Sequence, residues 1–352
     1  MATVSWRLCS PALRAAQFYA GRRTILHKQQ PVDESALPTH FRCRAVRLIT
    51  SEKTHEGQDV ILRCISTTAE VSVLSISATH LVEEAHNRHK ATPTALATLG
   101  RALMGTLLLG ALKDDTESVQ ITLMGDGPIG KLIAVASKDG WVKGFVENPL
   151  CDVPPKENNN FNVGAAVGSG MLNVSRYHPS WKQPYLGTVP IFSGEIAEDI
   201  AHYLASSEQV NTAIGLGVTL KKDGSVQSAH GFLVQVLPFC SEETLTKLEE
   251  NIKKMRPLSE TSEEVYALEI LESILDGIGM GDMYVFSNPR YGPCDVSELK
   301  ERMLRAVALL GPSDVQKLLD EQGHVEVRCE FCAEVLHFGK SDLEPILQES
   351  SK

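Results

Sequence analysis

Apolar and polar positions alternate over residues 44–50 and 60–65, with Glu56, Gly57, Gln58 and Asp59 between them, which predicts two strands joined by a turn. A short polar helix is expected over 80–90. A second helix opens at Thr92 and Pro93, with Thr as N-cap and Pro at the first helical position, and runs through Leu96, Leu99, Leu103 and Leu107 to about Leu112. Its length would suit a membrane span, but Arg101 at its middle and three threonines point to a buried core helix. Strands are expected at 119–124, 132–136 and 141–146, separated by the turns at Gly125 to Pro128 and at Lys138 to Gly140. A helix over 193–207 carries Ile196, Ile200 and Leu204 on one face, and strands over 210–220 and 229–236 flank the turn at Lys222, Asp223 and Gly224. Helices are grouped rather than alternating with strands, so the predicted class is α+β, built on antiparallel sheet.

Beyond Pro238 the pattern becomes helical and acidic. Residues 242–276 hold ten acidic and four basic side chains. One apolar stripe is Leu245, Leu248, Ile252 and Met255; another is Val265, Leu268, Leu271 and Leu275, with Pro257 and the polar run 259–262 between them. Two readings stay open here: ordinary amphipathic helices packed on the body, or a marginally stable linker whose stripes can be released because like charges weaken docking. Further on, Ser297 is expected to cap a helix carrying Leu299, Met303, Val307 and Leu310, which Gly311 and Pro312 end. Ser313 to Gln316 reads as the capping box of another helix that stops at Gly323. Short alternating segments at 325–327 and 335–338 then enclose Cys329, Glu330, Phe331 and Cys332, a knuckle whose two sulfurs suit either a tetrahedral zinc ion or a vicinal disulfide.

At 352 residues the chain has length for two domains, and 43% hydrophobic against 22% charged residues is ordinary globular material. The net charge of −10 disfavours a nucleic-acid backbone as partner. The first 32 residues carry Arg7, Arg14, Arg22, Arg23 and Lys28 and no acidic residue, with Trp6, Leu13 and Phe18 between them. That pattern resembles an organelle transit peptide, with mitochondrion as first expectation and plastid as second. Eight cysteines are scattered, and only Cys294, Cys329 and Cys332 are spaced like a site, which fits a reducing compartment.

No catalytic constellation stands out, and the chain is expected not to be an enzyme. Gly164 to Gly170 lacks the Gly-Lys-Ser/Thr ending of a phosphate loop and reads as a turn or strand edge. His86 and His89 read as solvated, and Cys43, Cys64 and Cys151 as small buried apolar groups. A thiol-disulfide oxidoreductase using Cys329 and Cys332 is disfavoured because the pair sits on a knuckle and not at a helix N-terminus. A zinc-ribbon adaptor for nucleic acid is disfavoured by the acidic balance.

Six segments, in order, carry a resemblance: Thr92 to Ala95, Met124 to Pro128, Gly144 to Pro149, Phe192 to Gln209, Gly231 to Pro238 and Val325 to Cys332. Over residues 42–347 the chain resembles the redox-regulated holdases of the heat shock protein 33 family. The resemblance implies an ATP-independent chaperone with an α+β body, a metastable helical linker and a small C-terminal zinc-type domain. The corresponding boundaries are a transit peptide at 1–32, a body at 41–238, an acidic helical linker at 239–290 and a switch domain at 291–347. The family binds zinc through Cys-x-Cys and Cys-x-x-Cys; oxidation forms neighbouring disulfides, releases zinc and unfolds the switch and linker to hold unfolding client proteins, often as a homodimer. Here Val296 stands where the family has its second thiol, which leaves Cys294, Cys329 and Cys332 as zinc ligands. A structural zinc wants four donors; His337 is the candidate fourth, with His324, Cys240 or water behind it. The upstream disulfide cannot form, whereas Cys329–Cys332 can. A chaperone whose switch is weakened or lost, constitutive or heat-activated, is the alternative. No membrane partner is expected.

Overall fold

The computed structural model describes residues 58–113, 118–258, 266–293 and 296–348. The basic stretch 1–32, the strand expected at 44–50, Cys43, Cys294 and the polar run 259–262 lie outside the described residues.

Two sheets enclose one helix. The first has the order β10-β1-β2-β9-β8, from β1 (Val60–Ser66), β2 (Val71–Ser77), β8 (Thr212–Leu220), β9 (Val226–Val236) and β10 (Met280–Ser287), all pairs antiparallel. The second has the order β11-β5-β4-β3-β6-β7. Its strands are β3 (Ser118–Gly125), β4 (Lys131–Ser137), β5 (Trp141–Val146), β6 (Gly170–Tyr177), β7 (Tyr185–Pro190) and the two-residue β11 (Arg290–Tyr291), parallel to β5. The fold is α+β, as expected. Between the sheets runs α2 (Pro93–Leu112), every residue from Thr94 to Leu112 buried, preceded by α1 (Thr79–His89). By length and composition α2 could cross a membrane; here its apolar surface is spent on the two sheets. Thr92 does not cap it: the hydroxyl donates to the Cys151 carbonyl instead.

The charge inside this helix is satisfied by the segment that follows β7. Arg101 Nη1 donates to Glu195 Oε2 at 2.7 Å, while Glu195 Oε1 accepts from Lys156 Nζ at 2.5 Å and from the Gly164 amide. Burial pushes the Glu195 carboxyl up, but Lys156, Arg101 and that amide outweigh it and hold it below the ordinary carboxylate range. The helix expected over 193–207 starts later, as α4 (Ala197–Ser206), because Asp199 folds 192–196 into a loop. Its carboxylate accepts from the amides of Phe192, Ser193, Gly194 and Ile196 at 2.7–3.2 Å. The Gly-rich run is a short helix α3 (Val163–Val167) leading into β6. Its glycines permit close backbone approach: a Cβ on Gly170 would lie 1.9 Å from the Met124 carbonyl oxygen.

The acidic stretch is helical in part. Helices α5 (Glu242–Lys254) and α6 (Ala267–Ile274) lay Leu248, Ile252, Ile270, Leu271 and Ile274 on the outer face of the first sheet, against Leu62, Val71, Val73, Phe232 and Val234. The last part of 239–290, expected as helical linker, is instead β10 and the start of β11, strands of the two body sheets.

The C-terminal module contains α7 (Val296–Ala308), α8 (Pro312–Gln322), the hairpin β12 (Val325–Arg328) and β13 (Val335–Phe338), and α9 (Lys340–Gln348). Val296 already belongs to α7, so Ser297 is not its cap, and Gly311 and Pro312 open α8 in place of the expected Ser313 box. Gly323, at φ +74°, ends α8 as expected. A separate apolar cluster of Leu299, Met303, Val315, Leu319, Phe338 and Leu343 includes Cys332.

Candidate functional site

Alternation along the hairpin sorts its side chains. Val325 and Phe338, opposite one another, are buried, whereas Glu326 and His337, the next pair, face solvent. Cys329 continues the inner series and is half-buried, and Cys332 is buried at 3% exposure in the cluster around Phe338. The knuckle is closed by the Cys329 amide donating to the Glu334 carbonyl at 2.9 Å and the Ala333 amide donating to the Cys329 carbonyl at 2.8 Å, with Ala333 at φ +55°. Neither sulfur is in a disulfide among the described residues, and both pack with the inner apolar cluster.

The residues between the thiols dock on the body. The Phe331 ring meets Phe145 of β5 edge-on, 5.1 Å between centroids, and Lys143 Nζ lies 5.8 Å from the same ring. The Phe331 carbonyl accepts from the Tyr291 hydroxyl, and the Cys332 carbonyl accepts from Arg88 Nη1 at 3.4 Å. Tyr291, fixed to β5 through β11, lies 2.9 Å from His89 Nε2 and 2.9 Å from the Gly144 carbonyl, with the Arg88 guanidinium 5.2 Å from its ring. A phenol carries one proton, so the Phe331 and Gly144 carbonyls compete for it. Burial, with Arg328 and Arg88 nearby, lowers the His89 pKa to about 4, so the imidazole is neutral at pH 7. The solvated reading of His89 is thereby corrected: it is 6% exposed, because the end of α1 lies under the knuckle. Tyr291, Phe145 and Arg88 were missed by sequence reasoning, since nothing local marks a contact made across 40 to 244 positions.

A four-coordinate zinc site finds two donors among the described residues, Cys329 and Cys332; Cys294 lies outside them. The other candidates are elsewhere. Cys240 packs beside the helices on the first sheet. His337 and His324 lie on the outer face of the hairpin with Glu326, and the ligand atoms of these three are within 4.8 Å of one another. The period of two is what separates His337 from the thiols. The described residues therefore do not complete the tetrahedral set.

The linker helices form the other part of the site. Glu70 receives the N-terminus of α5: its carboxylate accepts from the Ser241 amide at 3.0 Å and from Thr244 Oγ1 at 2.5 Å, and these bonds, the Thr244 one first, lower its pKa to about 2. Asn251 Nδ2 donates to the carbonyls of Ile274 and Asp276 at 3.0 and 2.7 Å, tying α5 to the end of α6.

Residues 59–339 match the family model described as Hsp33 protein. The chain is 38% identical over 297 residues to a 33 kDa chaperonin of Desulforamulus reducens, covering 83% of this chain and 98% of the relative. It is 39% identical over 298 residues to a 33 kDa chaperonin of Thermus thermophilus, at 82% and 86% coverage. The crystal structure of the 33 kDa chaperonin of Thermotoga maritima superposes with a TM-score of 0.77 at 32% identity, covering 84% of this chain and 99% of that one. The chain belongs to the Hsp33 family, a family of chaperones and not of enzymes.

Proposed function

We propose that this protein is an ATP-independent holdase whose client-binding surface is covered while Cys329 and Cys332 are thiols and uncovered when they are joined. The observation that carries this reading is the docking of the knuckle: the segment fastened to Phe145, Tyr291 and Arg88 is the one a Cys329–Cys332 bond would reshape. Hydrogen peroxide is the oxidant. One thiolate attacks it, giving a sulfenic acid and hydroxide; the other displaces hydroxide from that sulfur, giving the disulfide, and the two hydroxides take up the two protons lost by the thiols to become water. Two electrons leave the thiol pair and reduce one peroxide. The bond draws together two side chains that both pack against the module's apolar cluster, and the turn that carries Phe331 must change shape to allow it.

What becomes exposed is set by α5 and α6. Removing them from the first sheet bares Leu62, Val71, Val73, Phe232 and Val234 together with the helices' own stripes, a continuous apolar surface of the kind that marks interaction sites. Unfolded or partly folded proteins are the clients. Tyr185 and Leu186 stand exposed on β7, the edge strand of its sheet among the described residues, which supports self-association as a homodimer when active. Zinc held by Cys294, Cys329 and Cys332 belongs to this reading through its three thiols, and no step above depends on it. The acid-free basic stretch 1–32 supports delivery to the mitochondrion, with plastid as the alternative; import of a reporter fused to these residues tests it. The function itself is tested by suppression of thermal aggregation of a model client before and after peroxide. A rise that the C332S variant lacks supports the switch, and equal suppression in both states supports the alternative of a chaperone without one.

A further inference from the structure

The outer face of the hairpin carries a donor set that the thiol switch does not use. His324 follows the left-handed Gly323 that ends α8, Glu326 lies on β12, and His337 is its cross-strand partner on β13. His337 Nδ1 is 3.9 Å from Glu326 Oε2, the two imidazole rings are 4.9 Å apart between centroids at 67°, and all three ligand atoms lie within 4.8 Å of one another. Zinc–ligand bonds of ~2.0–2.2 Å bring such atoms to within ~3–3.6 Å, a closure that side-chain rotation supplies at half-exposed positions. Two of the donors are fixed by a strand register and the third by a helix end, so the backbone already converges on one point. We propose that His324, Glu326 and His337 bind a divalent first-row ion, zinc foremost, with water in the remaining position. Two imidazoles, a carboxylate and an open position form a donor set that zinc accepts, and the two imidazole nitrogens disfavour calcium and magnesium, which take oxygen ligands.

This site stands apart from the thiols, since the period of two sends Cys329 to the inner side and Glu326 and His337 to the outer. It ties the end of α8 to both hairpin strands, so a bound ion holds the module together by contacts that oxidation of the thiols does not touch. At ten times its dissociation constant, zinc shifts the folded-to-unfolded ratio of whatever unit it clamps by about tenfold. The proposal holds whether or not the thiols form a redox switch.

The test is zinc binding by the reduced full chain in equilibrium dialysis against zinc chloride, for the wild type and for H324A/H337A, E326Q and C329S/C332S variants. The wild type is expected to bind one zinc more than H324A/H337A, and E326Q to bind that ion more weakly by at least about 10-fold, since even the loss of an outer-shell partner costs ~10–100-fold. The increment is expected to persist in C329S/C332S. Cobalt loading of the reduced wild type gives a reading that does not depend on the folding of that variant: the ion lost in H324A/H337A is expected to lack the sulfur-to-cobalt charge-transfer absorption of a thiolate site. Equal stoichiometry in the wild type and H324A/H337A overturns the proposal. So does a histidine-dependent ion that carries the charge-transfer band, which would make the histidines part of the thiol site.

Discussion

Phe331→Ala removes the one aromatic side chain between the two thiols while leaving its carbonyl to accept from Tyr291. The ring is half-buried, so its apolar contact is worth about 1 kcal/mol, roughly half of a full Phe burial. The edge-on contact with Phe145 adds ~0.5–1.5 kcal/mol, and Lys143 over the ring adds ~0.5 kcal/mol at this exposed position. Some overlap among these makes about 2 kcal/mol a fair total, which moves the docked-to-undocked ratio of the knuckle by about thirtyfold. Hydrogen exchange of the reduced protein is the assay. Amides of β5 and β11 and of the hairpin are expected to exchange faster in F331A, while those of α2 are unchanged because the central helix lies beneath. A double-mutant cycle with Phe145→Ala is expected to return a coupling of ~0.5–1.5 kcal/mol. Unchanged exchange in β5 and the hairpin, with zero coupling, would refute the docking account.

Gly217→Ala places a Cβ 2.5 Å from the Leu258 carbonyl carbon, a backbone atom that cannot swing aside, so the chain after α5 must lift; faster hydrogen exchange in α5 and α6 of the reduced protein is expected. Asn251→Ala deletes both bonds that tie α5 to α6 and is expected to cost ~1–3 kcal/mol by urea denaturation, the carbonyl of Ile274 being left buried. His89 and His230 are both lowered by burial to about 4, below their ordinary 6.5. The unfolded chain therefore takes up protons that the folded one refuses as pH falls from 6.5 toward 4. Stability is complete above pH 6.5 and drops below it, by about 1 kcal/mol per histidine at pH 5.5, and the urea midpoint should fall between pH 7 and 5.5. Among the described residues neither ring nitrogen of His230 has a hydrogen-bond partner, so His230→Phe is expected to flatten part of that dependence. A midpoint that stays level would show that these rings are protonated in the folded state.

The elements legible in the sequence are those whose pattern is local. Thr92 and Pro93 mark the central helix, and the strict alternation around Cys329 and Cys332 marks the hairpin. Where tertiary burial overrides pattern, the reading fails. Strand β2 goes unmarked because Ser72, Ser75 and Ser77 are as buried as its valines, which erases the alternation. Strand β10 carries Gly281 and Asp282 and is nowhere fully buried, so it reads as the tail of the linker although it pairs with β1. The thiol pair and the signature run around Asp199 are visible by spacing and resemblance, although the run reads as helix where 192–196 is a loop; the latch of Arg88, His89, Phe145 and Tyr291 is not, because the fold alone brings these residues under the knuckle.

The central claim is that joining Cys329 to Cys332 uncovers a client-binding surface. The most direct measurement is a paired one on the same sample: peptide mapping of disulfides and suppression of client aggregation, followed through a titration with hydrogen peroxide. The account predicts that suppression rises in step with the Cys329–Cys332 bond, reverses with dithiothreitol, and is absent from C332S. Suppression that is already full in the reduced protein, or that rises equally in C332S, would contradict it.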